Sequence, residues 1–287
     1  MDSLSDLIAP LLALCRDASA AICQHYDSSE SGSFQAKGDD SPLTHADLDS
    51  DRILQQGLHR LTPMLPILSE ESSALDLEHR QEWLRYWLID PLDGTREFLS
   101  RSGEFTINIA LVDEHRPVLG LIHLPLTGQT YLGIPGQGAW LYGPGAKAQS
   151  SAVALATRPL VTGEPLVVLS SKRHRGASLQ GCLDWLTAHW GPIERINSGS
   201  ALKFCQMAMG QGDLYPRYAR CCEWDTAAGQ ALVEAAGGAV LGTDGLALRY
   251  NTRDSLYSPS FHAIADPANA LWPRFIAAGQ ASGAFRK

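Results

Sequence analysis

The most informative stretch of the sequence is Leu88-Ile89-Asp90-Pro91-Leu92-Asp93-Gly94-Thr95, in which an apolar segment leads into a turn with two acids. The apolar run from Trp83 to Ile89 predicts a buried strand that delivers Asp90 at its end. The tight turn that follows leaves the Leu92 carbonyl and the Gly94 and Thr95 amides free to face a ligand. A helix that begins near Thr95 would make those amides an anion site. Asp-Pro and Asp-Gly are also ordinary turn sequences, so the interpretation depends on the surrounding chain.

Acidic residues follow a second predicted strand just upstream. The residues from Pro66 to Ser69 predict a short strand that ends in Glu70 and Glu71. Together with Asp90 and Asp93, these side chains would repel one another strongly unless they shared cations. A ligand set made only of oxygen atoms suits Mg²⁺ or Mn²⁺ rather than Zn²⁺. The sequence therefore predicts a magnesium-type site at these strand ends.

The hydrophobic pattern predicts an α/β fold, an α+β layered sandwich. Helices are expected from Leu4 to Ile22 and, with Thr44 as N-cap and Asp47 as the capping-box acid, up to Leu61. Short apolar runs between residues 105 and 142 predict an antiparallel meander, and residues 143–165 are expected to be a linker. Beyond it, strands and helices alternate. We therefore predict a metal-binding α+β half over residues 1–150 and a substrate-binding α/β half over residues 151–287.

Composition excludes several classes of protein. The 287-residue chain has a formal charge of -8, which argues against binding long nucleic acid through a basic face. The six cysteines form no Cys-x-x-Cys pair, so free thiols and a reducing compartment are expected. The apolar N-terminal run is preceded by acids rather than Lys or Arg, and no stretch is long enough to span a bilayer. A cytoplasmic protein is predicted. Peripheral contact with the cytoplasmic face of the inner membrane is left open, and so is the choice between a monomer and a homodimer.

Three motifs, in this order, resemble the inositol-monophosphatase superfamily of lithium-sensitive, Mg²⁺-dependent phosphatases. They are Leu68–Glu71, Asp90–Thr95 and Trp224–Gly229, and the resemblance runs from about Leu4 to Ala265. Other stretches are more narrowly similar to bacterial CysQ-type 3′(2′),5′-bisphosphate nucleotidases, namely Ser41–Thr44 with Asp47, Asn197–Cys205, and Leu214–Arg217. The resemblance implies an αβαβα arrangement and two or three Mg²⁺ ions per site.

The resemblance also implies which residues hold the cations. One Mg²⁺ would be bound by Glu70, Asp90 and the Leu92 carbonyl. The second would be bound by Asp90, Asp93 and Asp225. For Asp225 alone a simpler explanation exists, because acids are favoured near a helix N-terminus by the helix dipole. Beside the other motifs the metal-ligand interpretation is preferred.

Catalytic roles follow from the same resemblance. Thr95 with Asp47 would take the proton from the attacking water, and Glu70 would take part in catalysis beside them. The amides of Gly94 and Thr95 would hold the phosphate oxygens, and Glu71 would support a third, weaker cation through water. Asp47 can instead serve only as a capping acid, and Glu71 can be only a solvated neighbour of Glu70.

Substrate contacts are implied in both halves of the chain. The expected residues are Glu70, Leu92, Asp93, Gly94, Thr95, His174, Ser200, Lys203, Arg217 and Asp225. Of these, His174, Ser200, Lys203 and Arg217 would contact the base, the ribose or the remaining phosphate of a nucleotide. Basic runs such as residues 172–175 are more often solvated turns.

The predicted reaction is hydrolysis of adenosine 3′,5′-bisphosphate to AMP and phosphate, with the sulfated relative of that nucleotide as a second substrate. Two alternatives stay open. The chain can be an inositol monophosphatase or broad sugar phosphatase, or a non-catalytic nucleotide-binding regulator.

Overall fold

The computed structural model describes residues 3–28, 35–36, 42–73, 77, 79–147, 151–171 and 176–283. The helices are α1 Ile8–Asp27, α2 His45–Leu61, α3 Thr95–Leu99, α4 Ala177–His189, α5 Leu202–Ala208, α6 Ala227–Ala235 and α7 Leu271–Ser282. The first strands are β1 Gln35–Ala36, β2 Pro42–Leu43, β3 Ile67–Ser69, β4 Arg85–Asp93, β5 Thr106–Asp113, β6 Arg116–Leu124 and β7 Gln129–Ile134. The remaining strands are β8 Gly138–Tyr142, β9 Ala152–Leu155, β10 Leu166–Ser170, β11 Ile193–Asn197, β12 Leu214–Arg217, β13 Ala239–Gly242 and β14 Phe261–Ile264.

The larger sheet has seven strands in the order β3-β4-β5-β6-β7-β8-β9. Strands β3 and β4 are parallel with Ser69 opposite Ile89, so Glu70, which follows β3, lies beside Asp90, which is within β4. All later pairs are antiparallel, which confirms the predicted meander. The expected linker over residues 143–165 was wrong in part, because Ala152–Leu155 pairs with β8 and extends the sheet by one strand.

The smaller sheet has five strands in the order β11-β10-β12-β14-β13. Strand β10 is parallel to β11 and β12, whereas β14 is antiparallel to β12 and β13. Strand β14 was not predicted from the sequence. Its four residues are all buried between neighbouring strands, and so short an apolar run carries no periodicity of its own.

Three apolar clusters show how the layers stack. The first contains residues of α1 and α2 with one face of the larger sheet, for example Leu11, Leu54 and Ile109. The second contains residues of α5 and α6 together with both sheets, and the third contains residues of α4 and α7 with the outer face of the smaller sheet. The order is therefore α1/α2, larger sheet, α5/α6, smaller sheet, α4/α7. This confirms the αβαβα arrangement.

Two glycines let α6 lie directly on the larger sheet. A Cβ atom at Gly120 would stand 2.2 Å from the carbonyl oxygen of Ala228, and one at Gly133 would stand 2.5 Å from the Cα of Leu232. Both distances are far below any real carbon contact, so these positions require glycine. The close approach brings the loop before α6, and with it Asp225, to the edge of the sheet that carries Glu70 and Asp90.

The expected helix starts at Ser200 and Asp225 each lie two residues before the observed helices, in the turns that precede α5 and α6. Pro10 falls in the first turn of α1, where its missing N–H costs little. Within the described ranges, none of the helices combines the length and the apolar character that crossing a bilayer requires. The division of the chain near residue 150 stays a prediction.

Candidate active site

Three predicted metal ligands meet at one point. Glu70 follows β3, Asp90 lies in β4, and Asp225 lies in the loop before α6. Each offers a carboxylate oxygen within 4.8 Å of those offered by the other two. These atoms come from distant parts of the chain, so the fold, and not local sequence, brings them together.

The electrostatics of the cluster favour a cation. Asp90 is only 1% exposed. Burial, and then the negative charges of Glu70 and Asp93, raise the pKa of Asp90 well above its usual range. Burial also raises the pKa of Asp225, and Asp93 and Glu70 add to the rise. A divalent cation would remove this repulsion, and carboxylate oxygens are the ligands that Mg²⁺ prefers. The donor set therefore fits the metal that the sequence implies.

Asp93 and Leu92 lie in the irregular end of β4, where the pairing with β5 shifts between residues 90 and 93. The Leu92 amide donates to Asp90 Oδ1 at 3.0 Å, and the Leu92 carbonyl accepts a 3.4 Å hydrogen bond from Thr95 Oγ1. Ser200 Oγ donates to Asp93 Oδ2 at 2.7 Å, and Asn108 Nδ2 donates to the same oxygen at 3.3 Å. The turn and its two acids are therefore held from both halves of the chain.

Asp47 caps α2, as the sequence predicted, and it also contacts Thr95, the residue beside which its predicted catalytic role would place it. Its Oδ2 atom accepts hydrogen bonds from the Thr44 amide at 2.8 Å and the Thr44 hydroxyl at 2.5 Å, which completes the capping box of α2. Its Oδ1 atom accepts a hydrogen bond from Thr95 Oγ1 at 3.1 Å. The carboxylate is 2% exposed. Capping therefore fixes the acid in the position from which it contacts the threonine.

Gly94 stands at the start of α3 with φ of 95°, a left-handed conformation that favours glycine. A Cβ atom there would lie 3.0 Å from the Glu104 carbonyl oxygen and 3.3 Å from the Ser200 side chain. Helix α3 begins at Thr95, as the sequence suggested, and it is short. Glu71, next to Glu70, is not among the three clustered carboxylates in the described part of the chain, and its amide donates to Ser69 Oγ at 3.2 Å.

A cavity of about 400 Å³ adjoins the acidic cluster. Its lining includes Asp93, Arg96, Ser171, Gly199, Ser200, Lys203, Tyr215, Arg217, Cys221 and Asp225. Carboxylates and cations thus line the same cavity. Three of the four predicted nucleotide contacts line it. The fourth, His174, lies outside the described residues.

Lys203 is unusual because it is a charged side chain with 1% exposure. Its ammonium group donates to the carbonyl oxygens of Ser198 at 3.0 Å and Ser200 at 2.7 Å, and it lies 5.1 Å from the ring centre of Tyr215. Burial, followed by repulsion from Arg217, lowers the pKa of Lys203 to about 8. An ammonium group has three N–H donors, so one remains for a ligand in the cavity.

Among the residues that the structure describes, Arg217 and Arg96 are the other cations on the cavity wall. Arg217 donates from Nε to the Ala219 carbonyl and from Nη2 to the Arg220 carbonyl, both at 3.2 Å. Arg96 was missed by sequence reasoning. It is exposed, follows Thr95 directly and lines the same cavity. Its position next to the motif was a signal that could have identified it.

The cysteines are free thiols, as predicted, including the adjacent pair Cys221 and Cys222. The Cys222 amide donates to Asp225 Oδ2 at 2.9 Å, so the cysteine pair lies in the loop that presents this carboxylate.

Comparisons with known proteins place these features in a family. Residues 3–274 match the sequence model of the Inositol monophosphatase family. The chain is 41% identical to a 3′(2′),5′-bisphosphate nucleotidase CysQ of Salmonella typhimurium, with 89% of this chain and 98% of that protein covered. It is 42% identical to the corresponding protein of Escherichia coli strain K12, with 86% and 95% covered.

Solved structures agree with the sequence comparison. CysQ from Bacteroides thetaiotaomicron superposes with a TM-score of 0.79 and 32% identity, over 91% of this chain and 98% of that one. An inositol monophosphatase from Zymomonas mobilis has a TM-score of 0.73 at 21% identity, over 97% and 100% of the two chains, which shows a shared fold.

Proposed function

The chain belongs to the inositol monophosphatase family of metal-dependent phosphatases, and from its cavity we propose that it hydrolyses nucleotides that carry two phosphates. The proposed substrate is adenosine 3′,5′-bisphosphate, which would yield AMP and phosphate. The sulfated relative of this nucleotide is a second substrate. The relatives that are more than 40% identical are named as nucleotidases of this kind, which supports the proposal.

The composition of the cavity lining is the main support for the proposal. The carboxylates of Asp93 and Asp225 and the cations of Lys203 and Arg217 line one cavity, so a single bound ligand can contact both kinds of group. A substrate with a single phosphate needs only the carboxylates with their metals. A second phosphate needs cations at a distance from the metals, because charge-assisted hydrogen bonds are the strong ones.

The metal ligands are proposed to be those that the family pattern implies. Glu70, Asp90 and the Leu92 carbonyl would hold one Mg²⁺, and Asp90, Asp93 and Asp225 would hold a second. When bound, the ions would supply the charge that activates water, orients the phosphate and stabilises the leaving oxygen.

Side chains of the protein are proposed to carry the proton away from the attacking water. Thr95 Oγ accepts the proton of the attacking water while its own proton passes to Asp47, which lies 3.1 Å away. Glu70 lies at the same centre and takes part in orienting the reaction. The Gly94 and Thr95 amides at the start of α3 hold the phosphate oxygens, and Glu71 supports a further cation through water.

The second phosphate is proposed to contact Lys203 and Arg217, with Ser200 and His174 toward the rest of the nucleotide. Ser200 has φ of 46°, and its hydroxyl donates to Asp93, so a predicted nucleotide contact also holds a predicted metal ligand.

The proposal is tested by phosphate release from adenosine 3′,5′-bisphosphate, inositol 1-phosphate and fructose 1,6-bisphosphate in Mg²⁺, with and without Li⁺. We expect the highest kcat/KM for the adenosine nucleotide and inhibition by Li⁺. A higher kcat/KM for inositol 1-phosphate would favour an inositol monophosphatase and would refute the substrate assignment only. Nucleotide binding by calorimetry without release of phosphate would instead indicate a regulatory binding protein.

A further inference from the structure

The position of Asp225 depends on contacts outside its own loop. The Cys222 amide donates to Asp225 Oδ2 at 2.9 Å, and the Asp225 amide donates back to the Cys222 carbonyl at 3.3 Å. These bonds fix the carboxylate relative to its neighbour in sequence. They do not fix the loop relative to Glu70 and Asp90, which belong to the larger sheet.

A second piece of chain lies along this loop. We call residues 251–258 the bridging segment. The Glu223 amide donates to the Leu256 carbonyl at 2.8 Å, and the Ser258 amide donates to the Cys221 carbonyl at 2.9 Å. The bridging segment therefore pairs by its backbone with the residues that immediately precede Asp225.

The side chain of Glu223 adds a contact that the backbone pairing does not require. It is 1% exposed, and its Oε2 atom accepts a hydrogen bond from the Asn251 amide at 2.7 Å. The Glu223 carbonyl accepts from the Thr226 amide at 3.2 Å and the Thr226 hydroxyl at 3.1 Å, at the entry to α6. One residue thus binds the bridging segment and the turn that presents Asp225. A buried carboxylate is costly unless hydrogen bonds satisfy it, and the Asn251 amide supplies one such bond.

Arg80 holds the other side of the bridging segment. It lies in a short 3₁₀ helix, Arg80–Glu82, in the connection between β3, which Glu70 follows, and β4, which contains Asp90. Its guanidinium donates to Asn251 Oδ1, to the Arg253 carbonyl at 2.8 Å and to the Asp254 carbonyl. The Asn251 side-chain amide donates back to the Arg80 carbonyl. The planar fork of arginine suits several acceptors at once, in a way that lysine cannot match.

We propose that Arg80 and Glu223 are positioning residues for the metal centre. Through Asn251, they tie the Asp225 loop to the chain that connects the Glu70 strand with the Asp90 strand. The two residues touch neither substrate nor metal. They set the distance between Asp225 and the two carboxylates of the larger sheet. This inference rests on the proposed function, because it requires the three carboxylates to share a cation.

The test measures Mg²⁺ binding rather than turnover alone. Arg80→Met and Glu223→Ala remove the contacts, whereas Arg80→Lys and Glu223→Gln keep part of them. Isothermal titration calorimetry and the rise of Tm on adding Mg²⁺ report metal affinity in the full chain. Gln81→Ala is the matched control, because Gln81 Nε2 donates to Asp254 Oδ1 of the same segment at 2.9 Å from an exposed position.

We expect Mg²⁺ affinity to fall by about 10- to 100-fold in Arg80→Met and Glu223→Ala, the usual effect of losing a partner that orients a ligand. Glu223→Gln, which keeps an acceptor for the Asn251 amide, should lose much less, and Gln81→Ala should bind as the wild type does. If Arg80→Met does not fold, Arg80→Lys, which keeps the charge but loses the fork that reaches three acceptors, should still bind Mg²⁺ more weakly than the wild type, though by less than Arg80→Met would.

Two results would overturn the inference in different ways. Folded variants with a lower Tm but unchanged Mg²⁺ affinity would reduce Arg80 and Glu223 to structural residues and leave the proposed function intact. A wild-type protein that binds no Mg²⁺ would remove the proposed function and this inference with it.

Discussion

Replacing Lys203 by methionine separates two roles that the structure gives to one side chain. The ammonium group is placed to meet a phosphate in the cavity, and it also holds the turn at Ser198 and Ser200 through their carbonyl oxygens. Methionine has a similar length and no charge. The substitution therefore removes both interactions and fills nearly the same space.

The expected cost in stability is small. The fall of the Lys203 pKa from 10.5 to about 8 corresponds to about 3 kcal/mol against burying the charge. Replacing the ammonium group by an uncharged side chain removes this unfavourable free energy of burial. It also leaves two carbonyl groups without their donor, at about 1–3 kcal/mol each. The two effects largely offset each other, so the free energy of unfolding should fall by no more than about 3 kcal/mol.

The expected cost in substrate binding is larger and selective. A hydrogen bond from a charged donor contributes about 1.5–3 kcal/mol, and its loss would raise KM for adenosine 3′,5′-bisphosphate by about 10- to 100-fold. Inositol 1-phosphate has no second phosphate, so its kcat and KM should hardly change. Steady-state kinetics on both substrates measure the difference, with Lys147→Met, at an exposed position away from the cavity, as the control.

An equal fall of kcat for both substrates, with KM unchanged, would refute this reasoning. Such a result would mean that Lys203 acts only by holding the Ser200 turn, and through it Asp93. The second phosphate would then have to be bound by other cations of the cavity wall, of which Arg96 is the exposed one.

The remaining predictions concern pH, catalysis and packing. In the wild type, KM for the bisphosphate should rise as the pH passes about 8, because Lys203 is charged below that pKa and neutral above it; the methionine variant should lack this rise. Thr95→Ala should lower kcat by about 100- to 10,000-fold, the usual contribution of a proton-transfer group, whereas Thr95→Ser keeps the hydroxyl and most of the rate. Gly120→Ala places a Cβ 2.2 Å from a backbone oxygen of α6 and should lower the free energy of unfolding in urea by about 1–3 kcal/mol, whereas Gly143→Ala, with open space around it, should not. Burial lowers the pKa of His262 from 6.5 to about 3, so the stability that neutral His262 confers is complete above pH 6.5 and is lost as the pH falls toward 3; His262→Gln should flatten this acid dependence in urea titrations.

The order and type of most elements could be predicted, because each carries its own periodic pattern. The strand that leads to Asp90 and the meander from residue 105 to 142 are examples, since their apolar runs are bounded by turn residues. Strands β9 and β14 were not predicted. Their pairing is set by neighbouring strands rather than by their own four residues.

The site could be predicted only as a set of residue types in motifs. Glu70, Asp90 and Asp225 were each identifiable from a strand end or a motif, and the structure brings their oxygens together. The contacts that hold them could not be predicted. The bonds from Arg80 to the bridging segment join residues more than 170 positions apart in sequence, and no local pattern marks them.

Asp47 is a single residue for which one contact could be predicted from the sequence and another could not. The capping-box pattern was visible in the sequence, whereas the bond to Thr95 depends on how α2 packs beside the Asp90 turn. The sequence therefore presented capping and contact with Thr95 as alternatives, and the structure shows that one carboxylate makes both contacts, each through a different oxygen.

In the proposed reaction, carboxylates around Asp90 hold the metal that drives phosphate release from a bisphosphate nucleotide. The most direct measurement is the initial rate of phosphate release from adenosine 3′,5′-bisphosphate as Mg²⁺ is added back to chelator-treated protein, for the wild type and for Asp90→Asn. We predict no release without a divalent cation, full recovery with Mg²⁺ in the wild type, and loss of activity in the variant. Release that persists in chelator, or that survives Asp90→Asn unchanged, would contradict the account.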